Sequence, residues 1–127
     1  MKNKEIINRI QENIIGPQII MIADRKGNIL DCNIGDSIGK IVELNELSYI
    51  AKMISIRSEI ADYRTLLRGL EMDVSIFADV YALTELVDKD RILIIVIPKI
   101  INLLEAINLI SNVNIFKEIE TELESGR

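Results

Sequence analysis

The stretch "RILIIVIP", Arg91 to Pro98, holds an unbroken aliphatic run from Ile92 to Ile97, and no other segment restricts the fold so much. Successive side chains of a strand point to opposite faces, so such a run predicts a strand buried on both sides. That strand belongs near the centre of a sheet, and helices have to cover both faces. The apolar character continues past Pro98 as "KIINLLEAINLI", and Ile92 to Ile110 is nearly long enough to span a bilayer. It also contains Pro98, Lys99, Glu105 and two asparagines, and each charge near a bilayer centre costs roughly 2.5–3.5 kcal/mol. Proline cannot continue a strand ladder but fits the first turn of a helix. The segment therefore divides at Pro98, with the strand leading into a helix from Lys99 on which Ile100, Leu103, Leu104, Ile107 and Ile110 keep helical spacing. Phe116, Ile119 and Leu123 resume that spacing before a mostly acidic end.

Earlier in the chain the same patterns give the remaining elements. Ile6, Ile7, Ile10, Ile14 and Ile15 fall on one face of a helix over residues 3–15, which Gly16-Pro17 stops. "IIMIADRKGNILDCN", Ile19 to Asn33, is two apolar runs around a glycine-containing turn, and it predicts a hairpin of strands Gln18 to Asp24 and Asn28 to Asn33. A loop follows, and Asn45 is the expected N-cap of a long helix from Glu46 to Gly69. On that helix Leu47, Ile50, Ala51, Ile54 and Ala61 form one apolar stripe, and Met53, Ile56, Ile60, Tyr63 and Leu67 form a second beside it. One sheet face needs only one stripe, so the surplus calls for cover by more chain or by a second copy. "EMDVSIFAD", "VYALTELVD" and "RILIIVIP" then read as three antiparallel strands.

The chain of 127 residues fits one domain, residues 1–127. Its core is aliphatic, with 49% apolar and only 4% aromatic residues, and about a fifth of the chain is isoleucine. Together with its many charges, that bias fits a thermophilic source. The net charge of −5 argues against a nucleic-acid binder, and the absence of histidine removes imidazole from acid–base chemistry and metal ligation. Cys32 is the only cysteine, which fits a reducing, cytoplasmic setting.

Short motifs offer little chemistry. "GDSIGK", Gly35 to Lys40, glances toward a phosphate-binding loop, but it has three rather than four residues between its glycines, and Ile41 stands where a hydroxyl is required. Asp24 and Asp31 flank the hairpin turn and are simplest as solubilising groups, although paired carboxylates can divide acid and base roles. "DKD", Asp88 to Asp90, is a tight turn rather than a calcium loop, and Cys32 is a small core side chain before it is a redox group. Arg57, Arg64 and Arg68 line up along one ridge of the long helix. They either pair with Glu59, Asp62 and Glu71 or dock an acidic partner.

The order helix, hairpin, long helix, three strands, helix resembles the roadblock/LC7 domain. "IIMIADRKGNILDCN" is similar to that family's opening hairpin and "YALTELVDKDRILIIVIPK" to its closing one. The resemblance covers nearly the whole chain, and the family has no catalytic signature. It implies an α+β fold with a five-stranded antiparallel sheet, the long helix on one face and the N- and C-terminal helices on the other, a profilin-like layering. It implies a homodimer or heterodimer joined along the third strands and the long helices, through Met53, Ile56, Ile60, Tyr63, Val74 and Ile76. Known relatives are scaffolds or regulators of small Ras-like GTPases, which makes Arg57, Arg64 and Arg68 the expected partner contacts. No cofactor is implied. The portion from Ala61 to Pro98 is also similar to an archaeal domain family of related architecture, for which a GTPase partner does not follow. A rival of another class is the PAS sensor, whose first hairpin "IIMIADRKGNILDCN" also resembles. PAS domains place several short helices before their remaining strands, whereas here one helix of more than twenty residues intervenes, and nothing suggests haem or flavin capture.

Overall fold

A computed structural model describes residues 2–13, 18–35, 43–60 and 73–111. In chain order the elements are α1 (Asn3–Asn13), β1 (Ile19–Asp24), β2 (Ile29–Ile34), α2 (Leu44–Ile60), β3 (Asp73–Ile76), β4 (Val80–Leu86), β5 (Arg91–Pro98) and α3 (Leu103–Ser111). The strands form one sheet in the order β2-β1-β5-β4-β3, with every neighbouring pair antiparallel.

The apolar run is the central strand, as its composition predicts. Every residue from Ile92 to Pro98 is buried, and alternation divides the run between two cores. Ile92, Ile94 and Val96 join Ile19, Met21, Ala23, Val80 and Ala82 beneath Leu47, Ile50, Ala51 and Ile54 of α2. Leu93, Ile95 and Ile97 join Ile20, Ile22 and Leu83 against Ile6, Ile7 and Ile10 of α1 and Ala106 of α3. Each of the valine, leucine, isoleucine and methionine side chains among them contributes about 1.5–3 kcal/mol on removal from water. The sheet is therefore held by one helix above and two below, the layering implied by the resemblance.

Two helix starts differ from the sequence reading. On α2 the cap is Glu43 rather than Asn45: the Glu43 carbonyl accepts from the amides of Glu46 (3.0 Å) and Leu47 (3.2 Å), while the Glu46 carboxylate accepts from the Glu43 amide at 3.2 Å. That reciprocal arrangement satisfies both ends of the first turn and leaves Asn45 inside it. Pro98 opens no helix. It ends β5 opposite Val80, where the missing N–H costs nothing to the ladder. The chain then turns, with Lys99 N donating to Asp79 O (3.1 Å) and Ile101 N to Pro98 O (3.1 Å). Asn102 caps α3, its carbonyl accepting from Ala106 N (3.0 Å) and its side-chain oxygen from Glu105 N (3.1 Å). The shift leaves Ile100 and Leu104 exposed, and Ala106, Leu103 and Ile107 take the inward positions. The helical spacing read beyond Ser111, Ile14 and Ile15, Ala61 to Gly69 and the loop "GDSIGK" apart from Gly35 lie outside the described residues.

The opening hairpin is fastened to α2. A bulge between Ile22 and Ala23 precedes the turn, where Gly27 has φ +87° and a Cβ there would lie 2.7 Å from the Lys52 Cα. Three residues further along α2, the Ser55 hydroxyl donates to the Arg25 carbonyl. Close backbone approach and positive φ both require the glycine.

Candidate functional site

Among the described residues the outer side of α2 carries exposed large apolar side chains. At about 100° per residue, Tyr49, Met53 and Ile56 fall within an arc of roughly 60°, far from the buried stripe. Their exposures are 65%, 42% and 59%, high for large apolar side chains. Ile60 continues the spacing as the last residue of α2. At one end of the sheet β3 pairs only with β4 among the described residues. On β3, Val74 is half-buried against the α1/α3 core, Ser75 is buried, and Ile76 is 69% exposed. Ile76 pairs with Tyr81, which packs with the α1/α3 core, so it stands on the sheet face opposite α2, and the ridge and the strand edge are two separate exposed features.

Between the first turns of α2 and the turn after β3 lies an open cleft of about 510 Å³, lined by Asn45, Glu46, Tyr49, Ile50, Phe77, Ala78, Asp79 and Val80. The turn has no glycine or proline; Phe77 N closes it onto Val80 O at 2.9 Å. Glu46 and Asp79 are exposed at its rim, and Tyr49 and Phe77 supply aromatic surface. Sequence reasoning missed this cleft. Tyr49 was recoverable, standing one helical turn before Met53 in the second stripe, but Phe77 and Asp79 meet α2 only through tertiary packing.

Other singled-out residues have structural surroundings. Asp24 accepts from Lys26 N (2.9 Å), Asn28 N (2.9 Å) and Asn28 Nδ2 (3.0 Å). The Asn28 side-chain amide, then its backbone N–H, hold the carboxyl below its usual range. Asp31 accepts from Cys32 N at 2.9 Å, so the two carboxylates serve the backbone separately. Asp88 Oδ1 accepts from Asp90 N (2.9 Å) and Arg91 N (2.8 Å) in the tight turn read from "DKD", while Arg91 Nε (2.9 Å) and Nη2 (2.8 Å) both converge on Asp88 Oδ2. Arg91 Nη1 also reaches Asn3 Oδ1 of α1 at 2.7 Å. Cys32 is half-buried against the α2-side core; burial, then the Asp31 charge, push its thiol pKa up, which disfavours the reactive thiolate. Arg57 stands on α2 in backbone position, while Tyr63, Arg64 and Arg68 lie outside the described residues. Among the described residues no helix is long and apolar enough to cross a membrane.

An α+β protein whose antiparallel sheet runs β2-β1-β5-β4-β3, with one helix on one face and two on the other, belongs to a definable structural class. The chain has a roadblock/LC7-like fold. It superposes on the gliding protein MglB of Thermus thermophilus with a TM-score of 0.66 at 12% identity, over 96% of this chain and 90% of that one. It is similar to MglC of Myxococcus xanthus (TM-score 0.60, 13% identity, 91% and 94% covered). It also resembles a roadblock/LC7 domain from Streptomyces avermitilis (0.59, 7%, 93% and 93%). No protein-family model and no curated protein matches the sequence.

Proposed function

We propose that this chain is a non-catalytic, roadblock-type platform that pairs with a second copy of itself and binds a small Ras-like GTPase to regulate it. The observation that carries this reading is the exposed apolar ridge of α2, together with an edge strand, β3, that pairs only with β4 among the described residues. Pairing would cover Met53, Ile56, Ile60, Tyr63 and Ile76, with Val74 supporting the edge from within. Arg57, Arg64 and Arg68 are the proposed contacts for the GTPase. A neighbouring structure described as "MglB with tetrameric arrangement" (TM-score 0.67, 12% identity, 98% and 91% covered) supports self-association on this fold. The opening hairpin, on which the PAS reading rests, packs directly on α2 through Gly27 and Ser55.

Because regulation requires different affinities for two states of the partner, the test is a pull-down from native lysate with GDP or a GTP analogue. A Ras-like GTPase retained preferentially in one nucleotide state is the expected result. Recovery of none under either condition overturns the GTPase assignment.

A further inference from the structure

The cleft at the start of α2 is lined by the buried apolar side chains of Ile50 and Val80 and by aromatic surface from Tyr49 and Phe77. Its two carboxylates stand on fixed supports. Glu46 is tied into the first turn of α2, where its Oε1 accepts from the Glu43 amide at 3.2 Å. Asp79 sits in the turn that Phe77 N closes onto Val80 O (2.9 Å), and its carbonyl accepts from Lys99 N at 3.1 Å. No lysine or arginine is among the described residues that line the cleft. The ammonium of Lys99 lies elsewhere, 5.7 Å from the centroid of the Tyr81 ring, which packs with the α1/α3 core. The cleft is therefore anionic and aromatic, with no cation from its own lining. A guanidinium suits such a site, because it stacks its plane on a ring while its N–H groups donate to carboxylates, whereas an ammonium is a compact, strongly hydrated charge. The volume of about 510 Å³ accommodates that side chain. The cleft is also open, with Glu46, Tyr49, Ala78 and Asp79 all exposed, and a site for a free small molecule encloses most of its ligand. An open cleft instead suits a side chain delivered by another protein, whose surroundings exclude water from the contact. The net charge of −5 attracts basic surfaces toward it.

We propose that the cleft formed by Glu46, Tyr49, Phe77 and Asp79 is a docking site for an arginine side chain on a basic segment of a partner protein. The inference goes beyond the self-pairing and the GTPase assignment and depends on neither. Its test titrates the isotope-labelled full chain with the peptide acetyl-Gly-Arg-Gly-amide and with its citrulline counterpart, which keeps the shape without the charge, and follows the amide NMR shifts. Shifts should centre on Tyr49, Phe77 and Asp79, and the arginine peptide should bind at least about tenfold more tightly than the citrulline peptide. Asp79→Asn and Tyr49→Ala alter exposed side chains and should fold, as circular dichroism checks, yet each should weaken the arginine peptide at least about fivefold. Glu46→Gln keeps an oxygen for the Glu43 amide and removes only the charge, so it should weaken binding with the cap intact. Equal binding of the two peptides, shifts centred elsewhere, or no shift at roughly 10 mM peptide, where a dissociation constant of that size would half-fill the cleft, overturns the proposal. Agmatine, a free guanidinium compound, binding at least about tenfold more tightly than the peptide would make a small cation the occupant and overturn the partner assignment. Peptide binding that weakens as protein concentration rises would put a second copy in the cleft and overturn it as well.

Discussion

Replacing Gly27 by alanine puts a methyl group where the Lys52 backbone already lies, in a conformation that L-residues rarely adopt. Lys52 Cα belongs to a helix anchored by Leu47, Ile50, Ala51 and Ile54, so relief requires moving the hairpin. Gly27→Ala should lower stability by about 1–3 kcal/mol, read by thermal or urea unfolding, and a neutral result would mean that the turn is not seated on α2. Asp88 makes a different prediction. Burial raises its pKa, but the Arg91 side chain, the Asp90 amide and the Arg91 charge outweigh that and hold it below the ordinary value. A lowered native pKa stabilises fully above the unfolded value of about 3.9 and is lost as pH falls through the native one. Asp88→Asn should therefore cost about 1–2 kcal/mol at about pH 7, discounted for partial exposure, and its deficit relative to wild type should shrink between about pH 5 and 2. A deficit constant across that range would remove the electrostatic explanation.

At the level of elements, α2 contrasts two stripes of similar composition. Ile54 is 2% exposed and Ile56 is 59% exposed, only two positions apart. Ile54→Ala should cost about 2–5 kcal/mol through lost burial and a cavity, whereas Ile56→Ala in dilute, monomeric protein should change stability by about 0.5 kcal/mol or less. Equal effects in unfolding measurements would contradict the orientation of the helix. The two stripes were legible in the sequence, but their shared period could not say which faces the sheet; the central place of β5 was legible, because a strand with two apolar faces has few other positions. The start of α3 was not. "PKIINLL" is apolar at nearly every step, so periodicity could not separate a turn from a helix, and the cap at Asn102 decided it. The cleft was hidden for another reason: Tyr49 and Asp79 are thirty positions apart in sequence and are joined only by the packing of α2 on the sheet.

For the molecule as a whole, the same sheet that buries β5 on both faces leaves β3 paired only with β4 among the described residues, and the same helix that fills one core presents apolar surface outward. A small sheet protein usually blunts such an edge with charge or a bulge; here β3 instead carries Ile76, which is 69% exposed. If folding and pairing are coupled, each tenfold rise in protein concentration above the dissociation constant should stabilise the folded dimer by about 1.4 kcal/mol. With an unfolding slope of a few kcal/mol per molar urea, the urea midpoint should rise by roughly 0.5 M per decade of concentration. The double variant Met53→Glu/Ile56→Glu alters two exposed positions, so its monomer should fold, yet paired ridges would bury charge against charge. Its midpoint should not depend on concentration. A wild-type midpoint equally flat across several decades would show that no second copy covers the ridge, and would overturn the self-pairing.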